Sequence, residues 1–147
     1  MQSHFKQAHF LLSDHEFVDQ FENLQLNPAY FTHLAHMRLA WLYIKDFGVE
    51  RASFALCDRI KNFDRKFGSG NKFNKTVTIA FAHLINERQQ LGVYRNFESF
   101  IEANESLIGN YKELICKHYS FDPFTSEKAK QEYLLPDKIP FFTIEVN

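Results

Sequence analysis

Glycine and proline are both scarce, 5 and 4 among 147 residues, below their usual shares of roughly 7% and 5%. That excludes collagen-like, linker-rich and low-complexity chains. Cysteine is limited to Cys57 and Cys116, in no C-x-x-C spacing. Neither a disulfide framework nor a thiolate metal knuckle organises this chain, and a reducing cytoplasm is the expected setting. Neither sign of charge prevails: 17 basic and 18 acidic residues leave a net charge of −1, so nucleic acid and membrane are the partners excluded first. Long apolar runs are missing too. The longest, Leu34 to Ile44, is interrupted by His36 and Arg38, and the opening MQSHFKQAHFLLS has neither the apolar stretch nor the cleavage site of a secretion signal.

What is abundant is aromatic: 17 Phe, 6 Tyr and 1 Trp within a 45% hydrophobic, 24% charged composition. A chain of this length buries roughly 68–70% of its unfolded surface. One compact domain over residues 1–147 with a thick apolar core is therefore expected, without staples. Seven basic residues between Arg51 and Lys75 outnumber Asp58 and Asp64; they are expected to form a solvated helix face.

Apolar spacing and capping residues predict an all-α, irregular bundle of six or seven helices. Ser13-Asp14-His15-Glu16 forms a capping box for a first helix reaching about Leu26. A second, apolar on every side and so central, runs over about 32–47 with Thr32 as N-cap and Gly48 as its stop; Asn27 with Pro28 is an alternative start. A third spans Val49 to Phe67 and a fourth Phe73 to about Leu91. A fifth, capped by Asn96, extends through Ile108, a sixth ends near Tyr119, and Ser126 opens a short seventh closed by Pro136. The apolar tail from about 137 to 147 is expected to lie across a groove.

The densest chemistry is Thr32-His33-Leu34-Ala35-His36-Met37-Arg38. The i,i+3 spacing sets both imidazoles about 60° apart on one face, and the positive end of the helix dipole favours their neutral, metal-ligating form. A divalent transition metal needs a third protein ligand. His83 is the candidate from the fourth helix, with Glu87 as a fourth ligand or orienting carboxylate. Alternatively His33 and His36 form a proton-transfer pair, or both are structural and satisfied within the core. Arg38 points about 140° from His33 and needs Asp14, Glu16, Glu87 or an anionic ligand as partner. Asn74, Thr76 and Thr78 open the fourth helix and are candidate ligand-binding groups, with capping as the structural alternative.

Three blocks, FTHLAHMRLAWLYIKDFG, KFNKTVTIAFAHLI and HYSFDPFTSEKAKQEYLLPDKIP, together resemble a family of small bacterial helical proteins with no established reaction. That family carries Thr-His-x-x-His-x-Arg, Tyr-His-x-Thr-x-Thr and a Tyr-Ser…Pro-Asp ending. Thr32, His33, His36 and Arg38 match the first block, Thr76 and Thr78 the second, and Tyr119, Ser120, Ser126, Ala129, Pro136 and Asp137 the third. The resemblance implies that these groups work together. The chain departs from it at Phe73-Asn74, where the pattern has Tyr-His, and Asn is a poor ligand for a borderline-soft metal. The functional expectation is a pocket centred on His33, His36 and Arg38 for a small polar or anionic ligand, with or without metal-assisted chemistry. The alternative is an interaction or structural protein, such as a homodimer formed over exposed Phe residues or the tail.

Overall fold

The structure is a computed structural model in which residues 5–141 are described. They form eight α-helices and no strand: α1 (Asp14–Glu22), α2 (His33–Phe47), α3 (Val49–Phe67), α4 (Lys75–Gln90), α5 (Phe97–Ala103), α6 (Ser106–Gly109), α7 (Tyr111–Cys116) and α8 (Glu127–Gln131). Two 3₁₀ turns, Ala8–Leu11 and Pro28–Tyr30, precede α1 and α2. The all-α single domain is as expected, with one helix more than the upper count. None of the described helices is long and apolar enough to cross a membrane.

Local chemistry sets most of the boundaries. The Ser13 hydroxyl accepts from Glu16 N and the Glu16 carboxylate accepts from Ser13 N, the reciprocal box that starts α1. Thr32, Asn74, Asn96 and Ser126 each accept a backbone N–H at the start of α2, α4, α5 and α8. Asn27 caps the turn at Pro28 instead of α2, so both sequence alternatives exist as separate elements. Gly48 ends α2 and starts α3 at φ 80°, ψ 163°, a conformation essentially reserved for glycine.

Several expected helices are shorter: α4 starts at Lys75, α7 ends at Cys116 and α8 ends at Gln131, and two more are cut by an identifiable group. α1 stops at Glu22 because Leu24 adopts φ 57° and the N–H groups of Gln25 and Leu26 turn back to Gln20 O. The fifth helix breaks at Asn104, whose amide donates to Phe100 O and accepts from Arg88 Nη1, leaving α5 and α6 as separate pieces.

α2 is the central element, with ten of its fifteen residues buried, and it packs against α3 and α4. Met37 and Leu39 of α2, Leu56 of α3 and Ile85 of α4 are buried in one apolar core with Phe17, Phe21, Phe100, Ile101, Leu107 and Ile115. α7 and α8 lean on α4. The tail does return to the body: Phe141 packs on His83 and His118. Residues 142–147 of the expected tail lie outside the described residues.

Candidate functional site

A cleft of about 540 Å³ opens where α2, α3 and α4 diverge. α2 contributes His33, His36 and Ala40; α3 contributes Leu56, Ile60, Phe63, Asp64 and Phe67. Val77, Thr78, Phe81 and Ala82 of α4 form the opposite wall, with Phe31, Phe73, Tyr111 and Phe124 around them. The surface is mostly apolar carbon, as in pockets for small organic molecules. From the sequence these rings look like core, walling a pocket only incidentally; the fold makes them the walls.

His36 is the most informative polar group in the lining. Its Nδ1 lies 2.8 Å from Thr32 O, and a carbonyl can only accept, so Nδ1 carries the proton and Nε2 the lone pair. The ring lies on Phe31 at 3.7 Å between centroids. Burial lowers its pKa to about 4, overriding the Thr32 bond that favours the charged form, with neighbouring His33 adding a smaller push downward. Nε2 has no hydrogen-bond partner among the described residues, and it is not among their sealed, unpaired side-chain nitrogens, which are His83 Nδ1, Asn86 Nδ2 and His118 Nε2. It therefore keeps an open side, in a residue that lines the cleft.

His33 is committed differently. Its Nε2–H donates to Leu107 O at 3.2 Å and its ring stacks on Tyr111 at 4.0 Å, tying α2 to α6 and α7. Burial lowers its pKa as well. Both imidazoles are neutral, as the sequence implies, although the main cause is desolvation. An imidazole that takes a proton only near pH 4, as His36 does, is a weak general base at neutrality.

Arg38 is not in the cleft. It is buried against the N-terminal segment, where Nε and Nη2 donate to Asp14 Oδ1 at 3.2 and 2.9 Å. Nη1 donates to His9 O at 2.7 Å and Nη2 also to Leu12 O at 2.9 Å. Phe10 and Phe17 rings flank the guanidinium. Of the two roles that the sequence leaves open for Arg38, the structural ion pair is the one formed, with Asp14 among the three carboxylates offered, and the guanidinium is not placed for a ligand in the cleft.

The α4 group separates in the same way. Thr76 is fully buried on the α8 side, donating to Glu132 O at 2.8 Å and accepting from Leu134 N at 3.0 Å. Asn74 lines the cleft, with its amide oxygen capping Val77 N and one of its two amide N–H groups donating to Pro123 O. Thr78 also lines the cleft, with its hydroxyl returned to Asn74 O at 2.7 Å. His83 faces the tail, stacked on Phe141 at 5.2 Å, and burial lowers its pKa against the pull of Glu87 and Glu50. It is absent from the cleft that holds His33 and His36, and among the described residues no three His, Cys, Asp or Glu side chains converge on a metal-ion site. The three-histidine ligand set is not assembled. Cys57, its pKa pushed up to about 11 by burial, is an inert thiol.

Two groups escape the sequence reading. His9 is fully buried beside Arg38, its Nε2 bonded to Gln7 Oε1, which also accepts from the Thr32 hydroxyl; this connects Arg38 to the cap of α2. His118 is buried under Phe141 with Nδ1 on Ile139 O. Neither has a sequence signal beyond an isolated histidine in an apolar context.

No protein-family model matches the chain, and no curated protein or solved structure matches it.

Proposed function

We propose that this protein binds a small, mostly apolar organic molecule in the cleft between α2, α3 and α4, with His36 as its polar anchor. The observation that supports this best is a neutral imidazole, fixed through Nδ1–H to Thr32 O, that presents an unpartnered Nε2 within walls of Phe and aliphatic side chains. The volume falls within the roughly 300–1,000 Å³ of small-molecule pockets. The reading revises the expected polar or anionic ligand, because Arg38 and Thr76 are spent elsewhere and the side-chain charges around the cleft, Lys72 and Asp64, cancel.

The test uses N-phenyl-1-naphthylamine, a neutral apolar dye, titrated by fluorescence. Val77 is half-buried on the cleft wall, so Val77→Trp places an indole in the open volume. Saturable one-to-one binding that weakens at least about tenfold in Val77→Trp, with the melting temperature retained, is the expected result. Dye binding that is unsaturable, or equal in the variant, overturns the reading.

A further inference from the structure

The polar end of the bound molecule is constrained by which atoms the cleft leaves free. His36 Nδ1–H is held by Thr32 O at 2.8 Å, so Nε2 can only accept while the ring is neutral. Of the other polar groups in the lining, the Thr78 hydroxyl gives its proton to Asn74 O and Asn74 Nδ2 gives one of its two N–H groups to Pro123 O, which leaves the Tyr111 hydroxyl and the second Asn74 N–H as neutral donors. His33 donates its Nε2–H to Leu107 O. Asp64, in the same lining, is an acceptor that takes Lys72 N–H at 3.0 Å and adds negative charge. Lys72, the cation of the lining, is exposed to solvent. A carboxylate or phosphate drawn inward would meet the His36 lone pair with no fixed cation to offset its desolvation.

We infer that the cleft selects a neutral aromatic molecule carrying a hydrogen-bond donor, a phenol-type hydroxyl or an azole N–H, which is given to His36 Nε2. This rests on the small-molecule reading above and narrows its ligand class. Phe31, already face to face with the His36 ring, and Phe63, 4.9 Å from Phe31 between centroids, place aromatic surface next to the anchor. A flat ring bearing the donor gains offset or edge contacts there. The donor matters because Nε2, enclosed without one, would bear the cost of an unmade hydrogen bond.

Three naphthalenes of similar size separate the outcomes by calorimetric titration near neutral pH: 1-naphthol, 1-methoxynaphthalene and 1-naphthoate. One hydrogen bond predicts that 1-naphthol binds roughly two- to tenfold tighter than its methyl ether, with 1-naphthoate weakest. In His36→Phe, which keeps an aromatic ring on Phe31, the preference for the hydroxyl should disappear while the methyl ether still binds. The wild-type series decides the question by itself if that variant does not fold. Equal binding of naphthol and ether, or tightest binding of naphthoate, overturns the inference and leaves the apolar-pocket reading standing. Absence of binding by all three overturns both.

Discussion

Lowering the pH from about 7.5 to about 5 removes stability through His36, and the amount follows from its surroundings. The ordinary histidine pKa of 6.5 falls to about 4 in the fold, so between these values the unfolded chain binds a proton that the folded chain refuses. Stability from this group is complete above about pH 6.5 and is lost as the pH falls through about 4. At pH 5 the linkage amounts to about 2 kcal/mol. His9, lowered to about 4 by burial and then by Arg38, loses a similar share, and carboxylates remain largely ionised at that pH.

Urea unfolding at the two pH values, on wild type and His36→Phe, isolates the His36 part as a difference of differences, so any constant cost of the substitution cancels. The variant should lose about 2 kcal/mol less than wild type on acidification, a midpoint difference of about 1 M urea at a slope of ~2 kcal/mol/M. Equal losses in the two proteins, within about 0.5 kcal/mol, would refute the reasoning: the imidazole would then be free to charge, and the open Nε2 would not be a fixed acceptor.

Thr76→Val keeps the side-chain shape but removes both the bond to Glu132 O and the one from Leu134 N, two part-buried hydrogen bonds. A loss of about 1–3 kcal/mol is expected in urea unfolding, with dye affinity in the cleft unchanged. Arg38→Met should likewise spare dye binding while costing about 1–3 kcal/mol, chiefly because His9 O and Leu12 O lose their donor. Asp14, 63% exposed at its side chain, can return to water, so the penalty stays below that of splitting a fully buried pair. If either variant abolishes dye binding at retained stability, the division between framework and cleft is wrong.

Helix starts were legible because a cap is a local bond. Ser13, Thr32, Asn74, Asn96 and Ser126 each reach a backbone N–H three positions on, within the same few residues that a reader of the sequence sees. The ends were less legible where a distant group intervenes. Nothing near Asn104 announces that Arg88 of α4 will bond its side chain, and the leucine at position 24 gives no hint of a positive φ. The same distinction governs the site. Thr76 and Thr78 are two residues apart, hence about 200° apart on a helix, so they could not both face the cleft. Periodicity alone contains that fact, but which of them faces it depends on where the chain after α8 returns.

The polar residues of the first and second blocks therefore share a neighbourhood without sharing a task. Arg38, Thr76 and Asn74 each bridge segments far apart in sequence, joining α2 to the chain before α1, and α4 to the chain on either side of α8. His33 does the same between α2 and α6. Arg38 and Thr76 have little left to offer a ligand without weakening the fold, while His33 keeps Nδ1 and Asn74 keeps one amide N–H. His36 differs in that its one bond is to its own helix cap, which fixes the ring without tying distant segments together. The proposed recognition chemistry rests on that contrast: a fold that satisfies nearly every buried polar atom leaves His36 Nε2 open beside an apolar cleft.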